Sequence, residues 1–353
     1  MRWLLSTVAV SCLLAAATVR AQESLPAEPV DAVMRLPAPE DWSLPGVCPG
    51  RPDHQRFCLN SGERWFIAAD VLTLQRPGEL PIAVALTNTG EVVDSATRAN
   101  DFAASARMTV GYRIDNCPTL EASYFGQLNW GESRDVLGDP VGQTVLVFSP
   151  NLIIDDIIGG FDTNVSVAYR ARLNNAELNL RHDNWAGPVW SQSTFLGFRY
   201  LQYDESLSLS AFDSTFNAFE NLDATTHNHL AGAQLGRRWV CEDGHWRAAI
   251  EAKAALAGNF ANHLLFHEGD AMTGAGPSGV LENLRRDTYH VATIVDLNFM
   301  LRKQLTRHYA LEAGYQMLYV SGVEMARQNK FPNSGGTSDI FLSGYSLGLT
   351  ASW

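Results

Sequence analysis

Twelve ionisable residues share one placement in this sequence. Arg107, Arg113, Glu121, Glu177, Arg181, Arg199, Arg247, Glu251, Lys253, Asp296, Arg302 and Glu312 lie in segments whose alternate positions are apolar or aromatic. Period-2 alternation puts the two sets on opposite faces of a strand. Carboxylates and guanidiniums gathered inside a closed sheet can pair and fill it, or form a polar constriction that selects ions or small solutes. Other constellations are poorer. His227-x-His229 and His263-x3-His267 are histidine pairs without a third metal ligand at a recognisable spacing, so no metal site is expected. Asp204, Asp213, Asp223 and His227 could supply acid–base groups, but no catalytic motif surrounds them. G-x-S-x-G, H-E-x-x-H and phosphate-loop patterns are absent. The expectation is a protein that is not an enzyme, with no catalytic residue and no cofactor.

Residues 1–21 read as a cleavable secretory signal peptide: Arg2, an apolar run from Leu4 to Val19, and the small-residue site Val19-Arg20-Ala21. Its removal moves the formal charge from −12 to −14. An acidic chain with scattered Lys and Arg has no electrostatic footprint for nucleic acid. Four cysteines remain after cleavage: Cys48, Cys58, Cys117 and Cys241. An even count in an exported chain suggests two disulfides; the nearest pairing joins Cys48 to Cys58 and leaves Cys117 with Cys241, one of three connectivities. Residues 22–60 are Pro-rich and aperiodic, and read as a periplasmic arm.

Residues 61–353 read as ten strands: Trp65–Arg76, Ala103–Ile114, Thr119–Trp130, Val165–Arg181, Ser193–Tyr203, Asn228–Val240, His245–Leu256, Thr288–Gln304, Tyr309–Tyr319 and Ile340–Trp353. In Val165–Arg181 the parity slips at Asn174-Asn175, which suggests a bulge there. Short links (115–118, 182–190, 241–244, 305–308) alternate with long ones (77–102, 131–164, 204–227, 259–287, 322–339). Outer-membrane barrels have this layout, with short periplasmic turns and long extracellular loops. The apolar stretch 145–158 inside a long link leaves twelve strands open as an alternative. A charge facing lipid at mid-bilayer costs ~2–4 kcal/mol for Arg or Lys, so the charged faces must point inward. The chain ends Tyr345-Ser-Leu-Gly-Leu349-Thr-Ala-Ser-Trp353, a lipid-facing alternation closing on an aromatic. Such an end is expected to be read by the barrel-assembly machinery.

Trp65-Phe-Ile-Ala-Ala-Asp-Val-Leu72, Gly111-Tyr-Arg-Ile-Asp-Asn-Cys-Pro-Thr-Leu-Glu-Ala-Ser-Tyr-Phe125, Ala176–Arg181, Gly197-Phe-Arg-Tyr-Leu201 with Asp204-Glu205, and Gly232–Gly236 resemble the beta-barrel porin-7 family of planctomycete outer-membrane proteins. The resemblance spans Trp65 to Trp353 and implies an all-β, antiparallel up-and-down transmembrane barrel; it carries over no site residue. The expected partners are outer-membrane lipid, the assembly machinery, and small solutes or ions. Two functions fit these residues: a narrow polar-lined channel, or a non-conducting barrel that binds through its outer loops.

Overall fold

The computed structural model describes residues 64–76, 83–86, 92–94, 102–114, 118–136, 143–145, 158–161, 163–186, 189–213, 218–269, 279–326 and 337–353. The expected signal peptide and Pro-rich arm lie outside these residues, as do Cys48, Cys58 and Cys117. Fourteen strands are described: β1 (Trp65–Gln75), β2 (Ala83–Leu86), β3 (Val92–Asp94), β4 (Ala103–Arg113), β5 (Thr119–Val136), β6 (Gln143–Val145), β7 (Ile158–Phe161), β8 (Thr163–Ala186), β9 (Trp190–Asp213), β10 (Ala218–Asp243), β11 (Trp246–Gly269), β12 (Gly279–Gln304), β13 (Tyr309–Val323) and β14 (Ser338–Ser352).

Ten of them close a barrel in the order β1-β14-β13-β12-β11-β10-β9-β8-β5-β4. Every neighbour is antiparallel, and β1 pairs with both β14 and β4. The twelve-stranded alternative fails on length. β6 and β7 pair with each other and join β2 and β3 in a separate four-stranded sheet. Three or four residues extend only ~10–14 Å and cannot span a bilayer.

The strands are unequal. β8 to β12 hold 24 to 26 residues each, whereas β1 and β4 hold 11. At ~3.3 Å per residue and ~40° of tilt, 24 residues rise about 60 Å, twice the hydrocarbon thickness. Much of what reads as long loops at 204–227 and 259–287 is therefore wall. Its inward positions are Leu207, Leu209, Leu222, Ala224 and Leu265, all buried, while Ser206, Ser208, Asp223 and Asn262 face outward. A wall with water outside hides its apolar set inside, so a search for apolar residues on the outer face passes over it.

The same reversal organises the whole barrel. Near the short-turn end the outward side chains are apolar: Leu120, Leu178, Leu196, Leu235, Ile250, Val295, Leu311, Leu347 and Leu349 are all largely exposed. Aromatics edge this band. Trp65 packs against Tyr112 with tilted rings (4.6 Å between centroids), with Trp190, Trp246, Tyr309 and Trp353 around the same rim; Tyr200, Phe260 and Tyr289 mark the other. These are the two interfacial girdles of a membrane barrel. Beyond the second girdle the apolar residues cross to the inner face.

Neighbouring strands make that crossing by different means. β8 keeps perfect alternation: Leu178 and Leu180 face out, Tyr169, Ala171 and Leu173 face in, and its register against β9 is unbroken from Thr163 to Asp183. The expected bulge at Asn174-Asn175 is not there; the apolar residues simply change face. The irregularity sits opposite, in β5, where Phe125 pairs with Asn175 and Leu128 with Leu173. One extra residue at Gly126-Gln127 turns Leu128 and Trp130 inward, although they share sequence parity with outward Leu120 and Tyr124. Gln127 takes a φ of 61°, and its amide donates to Asn174 Oδ1 at 2.8 Å.

The β1–β14 seam is tight. Gly344 lies opposite Leu74, and a Cβ there would overlap the Thr73 carbonyl oxygen and the Leu74 backbone. Backbone cannot step aside as a side chain can. Gly344→Val is expected to prevent closure, read as loss of the compact band that a folded barrel gives on unheated gel electrophoresis. An unchanged band would contradict the seam geometry.

Candidate functional site

The barrel interior has two storeys. The lower one, within the lipid-facing band, is polar. Eleven of the twelve charged residues picked out from the sequence line a chamber of about 180 Å³; the twelfth, Arg199, is fully buried beside it. All twelve sit on inward positions. The structure adds partners to this charged set. Asp70, Asp183 and Arg238 also line the chamber, and Asn175, Asn179, Gln234, Asn298 and Gln316 are buried among them. Asp70 hid in the apolar first strand, and the Asn and Gln residues carry no charge to mark them.

These groups form one continuous chain. Glu121 pairs with Arg181 and, at 4.0 Å, with Arg238; Arg238 binds Glu251 at 2.5 Å. Lys253 bridges Glu251 (2.9 Å) and Glu177 (2.8 Å). Arg199 links Glu177 (3.5 Å) to Asp296 (3.1 Å). Gln316 donates to Asp296 at 3.0 Å and accepts from Arg107 at 3.1 Å. Arg107 then pairs with Asp70 at 3.0 Å and donates to Ser346 at 3.2 Å. The chain touches all ten barrel strands. Seven cationic and seven anionic side chains line the chamber. Balanced charge in direct contact braces a wall better than it selects an ion.

The upper storey is apolar. A single cluster of buried residues crosses the bore, and every barrel strand contributes to it, including Leu74, Ala103, Leu128, Leu173, Leu201, Leu230, Ala257, Ile294, Leu318 and Leu342. The end of β13 and the residues after it fold into this layer: Gly322 takes a φ of 77°, and Val323, Met325 and Ala326 are buried. Hydrogen bonds pin it. Asn228 donates to the Glu324 carbonyl and accepts from the Glu324 amide, both at 2.8 Å; Asn259 donates to the Gly322 carbonyl at 2.9 Å. The Glu324 carboxylate accepts from Thr288 and meets His290 at 2.7 Å. Glu205 accepts from the Ala326 amide at 2.7 Å and from the Tyr169 hydroxyl at 2.5 Å, and pairs with Arg76 at 3.6 Å.

The remaining residues of interest do not assemble a centre. Cys241 is on β10 with a free thiol; Cys117, its expected partner, lies outside the described residues. His227 and His229 face outward, bonded to Asp204 (3.0 Å) and the Tyr200 hydroxyl (2.8 Å). His263 and His267 are four strand residues apart, roughly 13 Å. Among the described residues no three ligands cluster for a metal. Burial pushes the His263 imidazole, above the lipid band, down from its ordinary value; Glu324 opposes this and Arg286 adds to it.

A closed, even-stranded antiparallel barrel with an apolar outer band, two aromatic girdles and inward charges is an outer-membrane β-barrel. A family model described as "Putative beta barrel porin-7 (BBP7)" matches residues 72–334, and the chain belongs to that family. No curated protein matches the sequence. Among solved structures, the outer membrane protease OmpT from Escherichia coli is 9% identical over 82% of this chain and 97% of its own, with a TM-score of 0.41. A Pseudomonas aeruginosa FadL homologue is 9% identical over 82% and 90%, with a TM-score of 0.22. At such identities and scores the likeness says nothing of what this chain does.

Arg199 tests the lower storey. Arg199→Met leaves Glu177 and Asp296 without a shared cation and is expected to cost about 3–5 kcal/mol, read as a lower urea midpoint in vesicles. Adding Asp296→Asn should return part of that loss. A midpoint unchanged in the single variant would mean the network carries no stability.

Proposed function

We propose that this is a porin-like outer-membrane barrel closed to conduction at rest, with its charged lower storey bracing the wall and its tall outer storey presenting the working surface. One observation carries this reading: the apolar cluster fed by all ten strands across the bore. Water and ions do not enter a packed apolar constriction, which acts as a barrier by dewetting. The balanced, mutually paired charges beneath it fit filling better than selection. Outer-membrane lipid, and the assembly machinery that reads the strand ending at Trp353, are the partners this reading assigns.

A second reading is favoured by the segment Gly322–Ala326. It enters the bore from a strand end and is held largely by side-chain hydrogen bonds, so its withdrawal would thin the layer and join the polar chamber to the outside. The barrel would then be a gated narrow channel for small solutes.

Planar-bilayer recording of the refolded protein separates the two. The closed reading expects a silent membrane across the voltage range in which the barrel remains folded. Discrete, reproducible steps from the unmodified protein would overturn it. Asn228→Ala with Asn259→Ala, which unpins the segment, is expected to stay silent on the first reading and to open steps on the second.

A further inference from the structure

The outer wall of the upper storey carries a groove that the lumen does not explain. About 690 Å³ in volume, it is framed by β5, β8, β9 and β10. Strand register sets its rows. Asn129, Arg172, Asp204 and His227 are cross-strand neighbours in one row; Gly131, Arg170, Ser206 and Thr225 form the next. All eight are on outward positions, and Arg170 and Arg172 are exposed. Gly131 and Ala168 leave the floor low.

The electrostatics of the groove are uneven. Asp204 would be the natural partner of Arg172, but its two oxygens are taken by His227 (3.0 Å) and Gln202 (2.8 Å). Asn129 is tied to the Gln127 carbonyl at 2.8 Å. Among the described residues neither Arg170 nor Arg172 has an ion pair or hydrogen bond. Two unpaired guanidiniums on consecutive same-face positions, with Cα atoms ~6.6 Å apart, can hold one tetrahedral anion between them.

Height identifies the source of that anion. Tyr200, in the outer girdle, lies four residues below Asp204 on the same face of β9, and Phe198 and Leu178 beneath it face lipid. Four tilted residues rise about 10 Å, which places the lower row among lipid headgroups, and long arginine side chains reach down to that layer. One edge of the groove is thus membrane. We propose that the groove binds the phosphorylated headgroup of an outer-leaflet lipid, Arg170 and Arg172 holding the phosphate while Ser206, Thr225 and Asn129 face the polar remainder of the head.

The test is native mass spectrometry of the full chain folded with bis-phosphorylated lipid A as the probe, beside its dephosphorylated counterpart and inorganic phosphate. The unmodified barrel should retain one lipid A and lose the dephosphorylated lipid. R170Q/R172Q should weaken retention by about tenfold or more while keeping the compact band of a folded barrel. Arg285 continues the Arg170 register row on β12, two strands beyond the groove; R285Q should retain lipid A normally. Should the double variant not fold, R170Q and R172Q singly are each expected to lose about threefold. Equal retention by the Arg170 and Arg172 variants, equal binding of the dephosphorylated lipid, or displacement of lipid A by inorganic phosphate alone would each overturn the assignment.

Discussion

Lipid admits no charge on the wall that faces it, and a charge turned inward is costly unless another meets it. The lower storey follows from those two demands together. Each strand that crosses the bilayer alternates apolar and polar, so each delivers its polar residues to a bore too narrow to hydrate them freely. Pairing is then a structural requirement. Arg199 shows it most plainly: fully buried on β9, it lies between Glu177 on β8 and Asp296 on β12. From there the chain of contacts runs to Lys253, Glu251 and Arg238 on one side and to Gln316, Arg107 and Asp70 on the other.

Where the lipid ends the demands reverse. β8 to β12 continue past the outer girdle into water, and their apolar residues must turn in. The result is a second core stacked on the first, dry where the other is ionic. Most strands need no backbone device for this, because the amino-acid pattern changes face by itself. β5 does need one, and the bulge at Gly126-Gln127 supplies it while Asn174 on the facing strand satisfies the Gln127 amide. Seen from outside, the same reversal leaves a polar wall immediately above the membrane, where the Arg170–Arg172 groove lies.

The legibility of this structure in its sequence divides along that line. Below the girdle, lipid imposes strict alternation, so the ten barrel strands, their alternating connections and the inward position of all twelve charged residues can be read residue by residue. Leu347 and Leu349 face out and Glu312 faces in as period 2 requires. Above the girdle the solvent outside is water, Ser206, Ser208 and Asp223 face it, and the pattern looks like loop unless the inward Leu207, Leu209 and Leu222 are recognised as a core. Asn174-Asn175 looked like a bulge for the same reason: the parity of the apolar residues changed although the backbone did not. Long-range partners such as Asp70 with Arg107, or Glu205 with Ala326, were out of reach because strand order and shear set them, not local spacing.

The apolar residues move from the lipid face to a closed interior at the level of Tyr200. A single-cysteine scan of β9 from Phe195 to Leu209, in a background with the native cysteines replaced by Ser, tests this crossing directly through the accessibility of spin labels to oxygen and to a water-soluble nickel chelate. Oxygen access is expected at Leu196 and Phe198, chelate access at Asp204, Ser206 and Ser208, and access of neither at Leu201, Tyr203 and Leu207. Oxygen access at every even position up to Ser208, or chelate access at Leu201 and Tyr203, would contradict it.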